Sequence, residues 1–271
     1  MFAVLEVENY EKGLIKYIQR KFDKSKTTLT YCAVKGASPY VKINIKEKSD
    51  GIDWSEVKYC AGVCAERLLL SEKIDIPVGY GVYRYSPKLY PSVLMFNNML
   101  NLLERIEKRK NLSIAVYDKY GALTRKIDKL FDYARHITVL TDNIPDYKIA
   151  SQRIMDNCGA AIIINNYNSK ENRCDIAFAD RYDREIMNRY KLVFCPQKLN
   201  GYANLIYGTD VCATGGFLSN KPESIDSFVF LCALYELNSF RQAEEFSYSK
   251  LYFCSQEIEN EKLLNILNSV L

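Results

Sequence analysis

Between residues 113 and 195, short continuous apolar runs alternate with amphipathic stretches. The runs lie at 113–117, 136–140, 160–164, 176–179 and 191–195. The stretches between them predict helices over 121–134, 146–158 and 180–190, with Gly159 as the C-terminal cap of the second. Apolar runs without alternation are typical of parallel strands covered by helices on both faces. The pattern therefore predicts a parallel sheet with right-handed crossovers.

The first third of the chain has a mixed pattern. A helical stripe over 9–22 precedes two β-rich runs at 28–34 and 40–45, which a turn joins into a hairpin. Asp53 and Glu56 have the spacing of a capping box and predict the start of a helix. A short strand over 78–85 and a long helix over 92–108 complete this part.

Two helices are expected after residue 200. The first, over 222–238 with Pro222 in its first turn, is apolar nearly all round and should be buried. The second, over 255–270, has enough leucine and isoleucine to dock onto the body of the protein or onto a second copy in a homodimer. We expect an α/β protein with two domains: a smaller α+β domain over 1–110, then a Rossmann-like, mostly parallel sheet over 111–271.

Composition limits the classes of function. The chain has 271 residues, 48% apolar and 26% charged, which is ordinary for a globular protein. The net charge of only +4 argues against nucleic acid as the main partner. The first 110 residues have 19 basic against 13 acidic residues, an excess that we interpret as a solvated surface. Nine cysteines without a CxxC pair, and no apolar stretch of about 20 residues, predict a reduced, cytoplasmic protein without a membrane span.

In an open parallel sheet, ligands bind beyond the carboxyl ends of the strands, near the point where the strand order reverses. This rule selects the residues that follow each predicted strand. The candidate ligand-binding residues are Asp118, Tyr120, Gly121, Ala122, Asp142, Asn165, Asn166 and Cys195. Thr141, Asp180 and Pro196 fall at the same predicted edge.

The segment IAVYDKYGALTRKIDKLFDYARHITVLTD resembles the opening strand, helix and strand of Rossmann-type NAD(P)-binding domains. In the order and spacing of these elements it is similar to the glutamyl-tRNA reductase, shikimate dehydrogenase and siroheme-pathway dehydrogenase families. The resemblance covers about 30 residues and implies NAD as the cofactor. It also implies that Asp142, which lies 24 residues after Asp118, hydrogen-bonds an adenosine ribose.

The glycine fingerprint of those domains is missing. Asp118, Tyr120 and Leu123 stand where the three glycines belong, and Gly121 is the only glycine nearby. A carboxylate at this turn would repel a diphosphate, although the amides of a helix N-terminus would still favour an anion. The alternative interpretation is that Asp118 caps the following helix.

Other reactive residue types give weaker signals. Cys195 lies at the ligand edge, but most free cysteines are core residues. Cys60 and Cys64 lie in the buried stripe of a helix without further ligands, so no metal site is predicted. His136 begins a strand at the end opposite the ligand edge, so it is not expected to be catalytic. The backbone amides of the loop over 213–217 could bind an anion. A Gly-Gly pair in a loop, however, more often allows a backbone conformation that other residues rarely adopt.

Two functional hypotheses remain open. The first is a Rossmann-like protein that binds a nucleotide or dinucleotide in the cleft between its two halves, with an oxidoreductase-like activity. The second is a non-catalytic regulatory or scaffolding protein that has lost cofactor binding. The missing glycines favour the regulatory or scaffolding protein, whereas the alternation of strands and helices favours the nucleotide-binding protein.

Overall fold

The computed structural model forms two compact units. The first comprises Met1–Pro87 with Ala213–Ala243, and the second comprises Lys88–Cys212 with Glu244–Leu271. The residues that the structure describes are 1–8, 27–47, 51–106, 112–169, 174–181, 183–198, 201–213, 218, 221–238, 240 and 246–270. The predicted helix over 9–22, the boundary near residue 110 and the glycines of the 213–217 loop lie outside the described residues.

The first unit contains a four-stranded sheet. Its strands are β1 (Ala3–Glu8), β2 (Thr28–Cys32), β3 (Tyr40–Lys46) and β4 (Leu68–Leu69), in the order β2-β3-β1-β4. Strands β3 and β4 both run parallel to β1, whereas β2 pairs antiparallel with β3. The β2–β3 pair confirms the predicted hairpin.

Helix α1 (Trp54–Ala61) covers this sheet. The Asp53 carboxylate accepts a hydrogen bond of 3.1 Å from the backbone N–H of Glu56, which confirms the predicted cap. The helix continues as a 3-10 helix over Gly62–Arg67. Its apolar face, including Val57, is buried against β1 and β3.

The predicted strand over 78–85 is wrong. Within it only Arg84 forms a β-bridge, parallel with Leu68. Gly79 and Gly81 have φ of 101° and 66°, a backbone conformation that turns the chain and interrupts an extended strand.

Helix α5 (Ser227–Leu237) belongs to the first unit despite its distance along the chain. Its buried residues confirm the predicted burial. It begins at Ser227 and not at Pro222, because the Asp226 carboxylate accepts the N–H groups of Phe228 and Val229 and so fixes the first turn. The ring of Phe230 meets Phe2 and Tyr40 edge-on, at 6.0 and 5.4 Å between centroids.

The second unit contains an eight-stranded sheet in the order β12-β11-β10-β9-β8-β5-β6-β7. Its strands are β5 (Leu112–Tyr117), β6 (Ala134–Thr141), β7 (Ile163–Asn166), β8 (Ile176–Ala179), β9 (Leu192–Phe194), β10 (Leu205–Ala213), β11 (Phe246–Phe253) and β12 (Gln256–Ile258). From β7 to β10 every neighbouring pair is parallel. The order 3-2-1-4-5-6, counted from β5, is that of doubly wound Rossmann sheets. The predicted fold class is therefore confirmed, whereas the β11–β12 hairpin was not predicted.

The second unit has four α-helices among its described residues: α2 (Tyr90–Leu103), α3 (Ile144–Cys158), α4 (Arg184–Met187) and α6 (Asn260–Val270). Gly159 ends α3 with φ of 63°, as the sequence predicted. Leu263, Leu264 and Leu267 of α6 are buried, so its apolar face packs within its own chain. No described helix is both long and apolar enough to span a bilayer.

The predicted helix over 121–134 is wrong in its first half. Turns occupy residues 122–126, and only a 3-10 helix follows, over Ile127–Asp132. The residues between β5 and this 3-10 helix, 118–126, are called the β5 loop below.

Gly208 in β10 generates a prediction about the close approach of two strands. A Cβ atom at this position would overlap the ring of Tyr248 in β11. We expect Gly208→Ala to lower the free energy of unfolding by about 1–3 kcal/mol, as overpacking does, measured by urea denaturation. The double variant Gly208→Ala, Tyr248→Ala should be no less stable than Tyr248→Ala alone, since removing the ring makes room for the methyl group. If Gly208→Ala lowers the free energy of unfolding as much in the Tyr248→Ala background as in wild type, this explanation is wrong.

Candidate functional site

The carboxyl ends of the central parallel strands meet at one rim of the second unit, here called the carboxyl rim. The register aligns Tyr117 of β5 with Leu140 of β6 on one side and with Ala179 of β8 on the other. The residues that follow these strands are therefore neighbours. The strand order reverses between β5 and β8, so this is the position at which doubly wound sheets bind ligands.

The carboxylate of Asp118 is the centre of the rim. It is fully buried, and its Oδ1 accepts hydrogen bonds from the backbone N–H groups of Gly121 and Ala122, at 3.1 and 3.0 Å. Its Oδ2 accepts from the N–H of Leu123 at 2.8 Å and from the hydroxyl of Tyr147 at 2.6 Å. Three successive loop amides and one phenol thus converge on one carboxylate.

The β5 loop is shaped by this carboxylate. Gly121 has φ of 79°, and a Cβ there would lie 2.5 Å from Nδ2 of Asn143, so both the backbone conformation and the close packing favour glycine. The Thr124 hydroxyl donates to the Gly121 carbonyl at 3.0 Å. Because Asp118 takes the amides of 121–123, this stretch forms turns where the sequence predicted a helix.

Burial raises the pKa of Asp118, while the Tyr147 hydroxyl and the three loop N–H groups lower it; the net shift is upward. Burial also raises the pKa of Tyr147, as does the negative charge of Asp118, so the phenol keeps its proton and remains a donor. The pair is therefore a fixed carboxylate–phenol hydrogen bond in the interior of the rim.

Asp180, which follows β8, holds the other end of the β5 loop. Its Oδ2 accepts from the backbone N–H of Lys119 at 2.7 Å, and its Oδ1 accepts from the hydroxyl of Tyr167 at 3.0 Å. Arg181 donates to the same hydroxyl at 3.2 Å and lies 4.7 Å from the centre of the Tyr167 ring. Burial is the largest cause that raises the pKa of Asp180 to about 6, and the charge of Asp118 raises it further.

The remaining polar candidates lie on the outer side of the rim. Asp142 is about half exposed and forms an ion pair with Lys119 at 3.6 Å. Tyr120 is 58% exposed. Asn165 and Asn166 end β7, in register with Leu140 and Thr141 of β6. These side chains are the accessible part of the predicted site.

Cys195 lies in the core beside the rim. It follows β9, is fully buried, and packs in a cluster with Tyr117 and Tyr207. Burial raises the pKa of its thiol to about 12, so the thiol is protonated at neutral pH and is no nucleophile in this state. His136 is exposed near the start of β6, away from the carboxyl ends of the strands.

Tyr147, Tyr167 and Asn143 were not among the predicted site residues. Tyr147 lies one turn into α3 and Tyr167 directly follows β7, so each is near a strand end in the chain, but the direction of a side chain is not visible in sequence. Only Tyr167 could have been found from the sequence. The rule that selects the residues after each strand gave Asn165 and Asn166, and Tyr167 is the next residue along the chain.

The rim has definite chemical properties. The amides of the β5 loop already hold a carboxylate, and the exposed carboxylate of Asp142 is paired with the ammonium of Lys119. Among the described residues, no group of three His, Cys, Asp or Glu side chains is arranged to hold a metal ion. The accessible groups are hydroxyl, amide and carboxylate oxygens that can accept hydrogen bonds from a neutral, hydroxyl-bearing ligand.

No protein-family model matches the chain, and neither does any curated protein. Among solved structures it is similar to L-tryptophan dehydrogenase from Nostoc punctiforme, with a TM-score of 0.30 and 10% identity over 58% of this chain and 51% of that one. It is also similar to a shikimate dehydrogenase in complex with NADP+ (TM-score 0.27, 11% identity, 66% and 67% covered). A shikimate 5-dehydrogenase-like protein gives a TM-score of 0.26 at 10% identity, with 72% and 76% covered. The chain spans about half the length of the tryptophan dehydrogenase, and the Rossmann-like assignment rests on the strand order of the second unit.

The raised pKa of Asp180 predicts a pH dependence of stability with a defined sign. Between pH 3.8 and about 6 the carboxyl group of Asp180 keeps its proton in the folded protein, whereas it has lost this proton in the unfolded chain. The folded state therefore loses stability as the pH rises through this window. In Asp180→Asn, the free energy of unfolding relative to wild type should increase from pH 4 to pH 6.5 by on the order of 2 kcal/mol and stay level above pH 7. Urea denaturation at each pH measures it, and a difference that falls with pH would disprove the assignment.

Proposed function

We propose that this protein is a non-catalytic Rossmann-type protein with a regulatory or scaffolding role. In this proposal the β5 loop does not bind the pyrophosphate of a dinucleotide. The observation that carries it is the Asp118 carboxylate, which occupies the loop amides that a phosphate would need.

The hydrogen-bond geometry supports this proposal over cofactor binding. In dinucleotide-binding domains, loop amides after the first strand approach the pyrophosphate closely. Here the amides of Gly121, Ala122 and Leu123 lie 2.8–3.1 Å from the oxygens of Asp118. A phosphate at this place would lose those donors and meet a negative charge.

Burial also argues against catalysis by Asp118. Its side chain is fully buried, and both of its oxygens already accept hydrogen bonds from the loop N–H groups and from the hydroxyl of Tyr147, an arrangement that does not favour proton exchange with a substrate. The arrangement supports a role in holding the β5 loop in one conformation.

The test is a ligand screen combined with removal of the carboxylate. Wild-type protein should show no thermal shift with NAD, NADP, ATP or S-adenosylmethionine at millimolar concentration. Asp118→Ala should be less stable by about 1–3 kcal/mol, because the buried amide of Leu123 and the partly buried amides of Gly121 and Ala122 lose their acceptor. Inorganic pyrophosphate should then raise the melting temperature of Asp118→Ala by about 3 °C or more and leave that of wild type unchanged.

The matched control is Asp183→Ala. Asp183 also accepts two backbone N–H groups, those of Glu185 and Ile186, but at the start of the short helix α4. Pyrophosphate should not rescue this variant. Binding of NAD to the wild-type protein, weakened by substitutions at Gly121 or Ala122, would refute the proposal.

A second candidate function is binding of a nucleotide through its adenosine part alone, with an oxidoreductase-like activity. The observation that favours it is the exposed carboxylate of Asp142 at the end of β6, the strand next to β5. An acidic residue at this place accepts a hydrogen bond from the 2′-hydroxyl of a ribose. Its negative charge would disfavour a 2′-phosphate.

This candidate makes its own prediction. If it holds, NAD binds more tightly than NADP, and Asp142→Ala weakens NAD binding by about tenfold, corresponding to about 1.4 kcal/mol, as measured by calorimetry. The control Asp132→Ala, which removes a carboxylate from the preceding 3-10 helix, should have no effect. Equal affinity of wild type and Asp142→Ala for NAD would exclude this contact.

A further inference from the structure

The first unit contains a cavity of about 430 Å³ that neither functional hypothesis uses. It lies at the carboxyl end of β4 and beside the start of α5. Its lining comes from three segments that are far apart in sequence: 69–73, 84–87 and 224–229. A volume of this size falls within the range of small-molecule sites.

The floor of the cavity is apolar. Leu70, Tyr85 and Ile225 line it and are 6%, 8% and 2% exposed, and Val229 adds a partly exposed methyl surface from the first turn of α5. An occupant therefore gains from placing a hydrocarbon or aromatic group against this floor, at roughly 25 cal/mol per Å² of apolar surface removed from water.

One fixed positive charge lines the same cavity. The guanidinium of Arg84 donates from Nη1 to the carbonyls of Leu70 and Ser71, at 3.1 Å each, and from Nη2 to that of Ile74, at 2.5 Å. Carbonyl groups hold the guanidinium in place without cancelling its charge. The side chain of Lys73 lines the cavity as a second cation.

A fixed negative charge lines it as well. The Asp226 carboxylate accepts the N–H groups of Phe228 and Val229 through Oδ1, at 2.9 and 3.1 Å. Glu72 supplies a second carboxylate to the lining. Because Arg84 and Asp226 are each held by backbone groups, neither needs to be ordered when a charged ligand binds, which lowers the entropic cost of recognition.

We propose that this cavity binds a small zwitterion with an apolar body, the chemical class of the apolar α-amino acids. The ligand carboxylate faces Arg84 and Lys73, the ammonium faces Asp226 and Glu72, and the apolar body lies on Leu70 and Ile225. Two positive and two negative side chains disfavour a ligand that carries a single uncompensated charge. This site belongs to the first unit alone and does not depend on the function proposed for the carboxyl rim.

The experiment is calorimetric titration of the full chain with L-leucine, L-phenylalanine and L-tryptophan as probes. The charge controls are 3-phenylpropionate, which lacks the ammonium, and phenethylamine, which lacks the carboxylate. At least one amino acid should bind at micromolar to millimolar concentration, and each control should bind at least about tenfold more weakly than phenylalanine, or about 1.4 kcal/mol.

Two variants locate the binding. Asp226→Asn keeps a good helix cap while removing the negative charge, so it should weaken amino-acid binding by about tenfold without unfolding the protein. Val229→Trp should fill the cavity and abolish binding. The matched control is Val78→Trp, at a fully exposed position of the same unit outside this cavity, and it should bind like wild type.

Several results would overturn the proposal. These are no binding of any probe at 10 mM by a folded wild-type protein, undiminished binding in Val229→Trp, or equal affinity for phenylalanine and both charge controls. Circular dichroism of each variant shows whether it is folded. Ligand-dependent chemical shifts of labelled methyl groups in Val229 and Ile225, which line the cavity, provide a readout independent of calorimetry.

Discussion

The hydrogen bonds that converge on the buried carboxylate of Asp118 constrain the whole carboxyl rim. A carboxylate removed from water is unfavourable unless several donors replace its hydration. Gly121, Ala122 and Leu123 supply these donors only if the β5 loop turns back over the end of β5, and Tyr147 supplies the fourth from α3. The loop conformation, the glycine at 121 and the position of α3 are therefore coupled to one charge.

This coupling extends across the reversal point of the sheet. Asp180 accepts the N–H of Lys119, so a second carboxylate fixes the beginning of the loop whose middle is fixed by Asp118. Burial disfavours the charged form of both carboxyl groups, and the negative charges of Asp118 and Asp180 repel each other. For these reasons the pKa of Asp180 rises to about 6. Tyr167 and Arg181 offset part of this cost. A rim built in this way is held rigidly by protein groups, and that is the physical basis for proposing a role other than phosphate binding.

The sequence was informative where the physics is local or periodic. Continuous apolar runs identified the parallel strands β5 to β9, Gly159 marked the end of α3, and Asp53 marked the start of α1. It was misleading at residues 121–126, where the amphipathic pattern of a helix is overridden by a single side chain that captures the loop amides. The alternative that Asp118 caps a helix anticipated its hydrogen bonds to backbone N–H groups, although turns and not a helix follow it. The hydroxyl of Tyr147, which completes the site, comes from α3, and the spacing of residues in the sequence does not indicate it.

The least predictable feature is which segments make up the first unit, because the unit depends on contacts between residues 1–40 and the distant segment 230–238. The N-terminal ammonium donates to the Leu237 carbonyl at 2.9 Å, and the Asn238 amide donates to the Ser38 carbonyl at 2.7 Å. Phe230 closes the aromatic cluster with Phe2 and Tyr40. Closing a loop of about 200 residues has a large entropic cost. Such contacts also produce no periodic pattern of apolar residues in either segment, so the sequence does not reveal them. It follows that the first unit cannot complete its core, or the cavity that α5 lines, until the chain has been made beyond residue 237. Any ligand of that cavity would therefore stabilise contacts between segments 69–87 and 224–229, which are far apart in sequence.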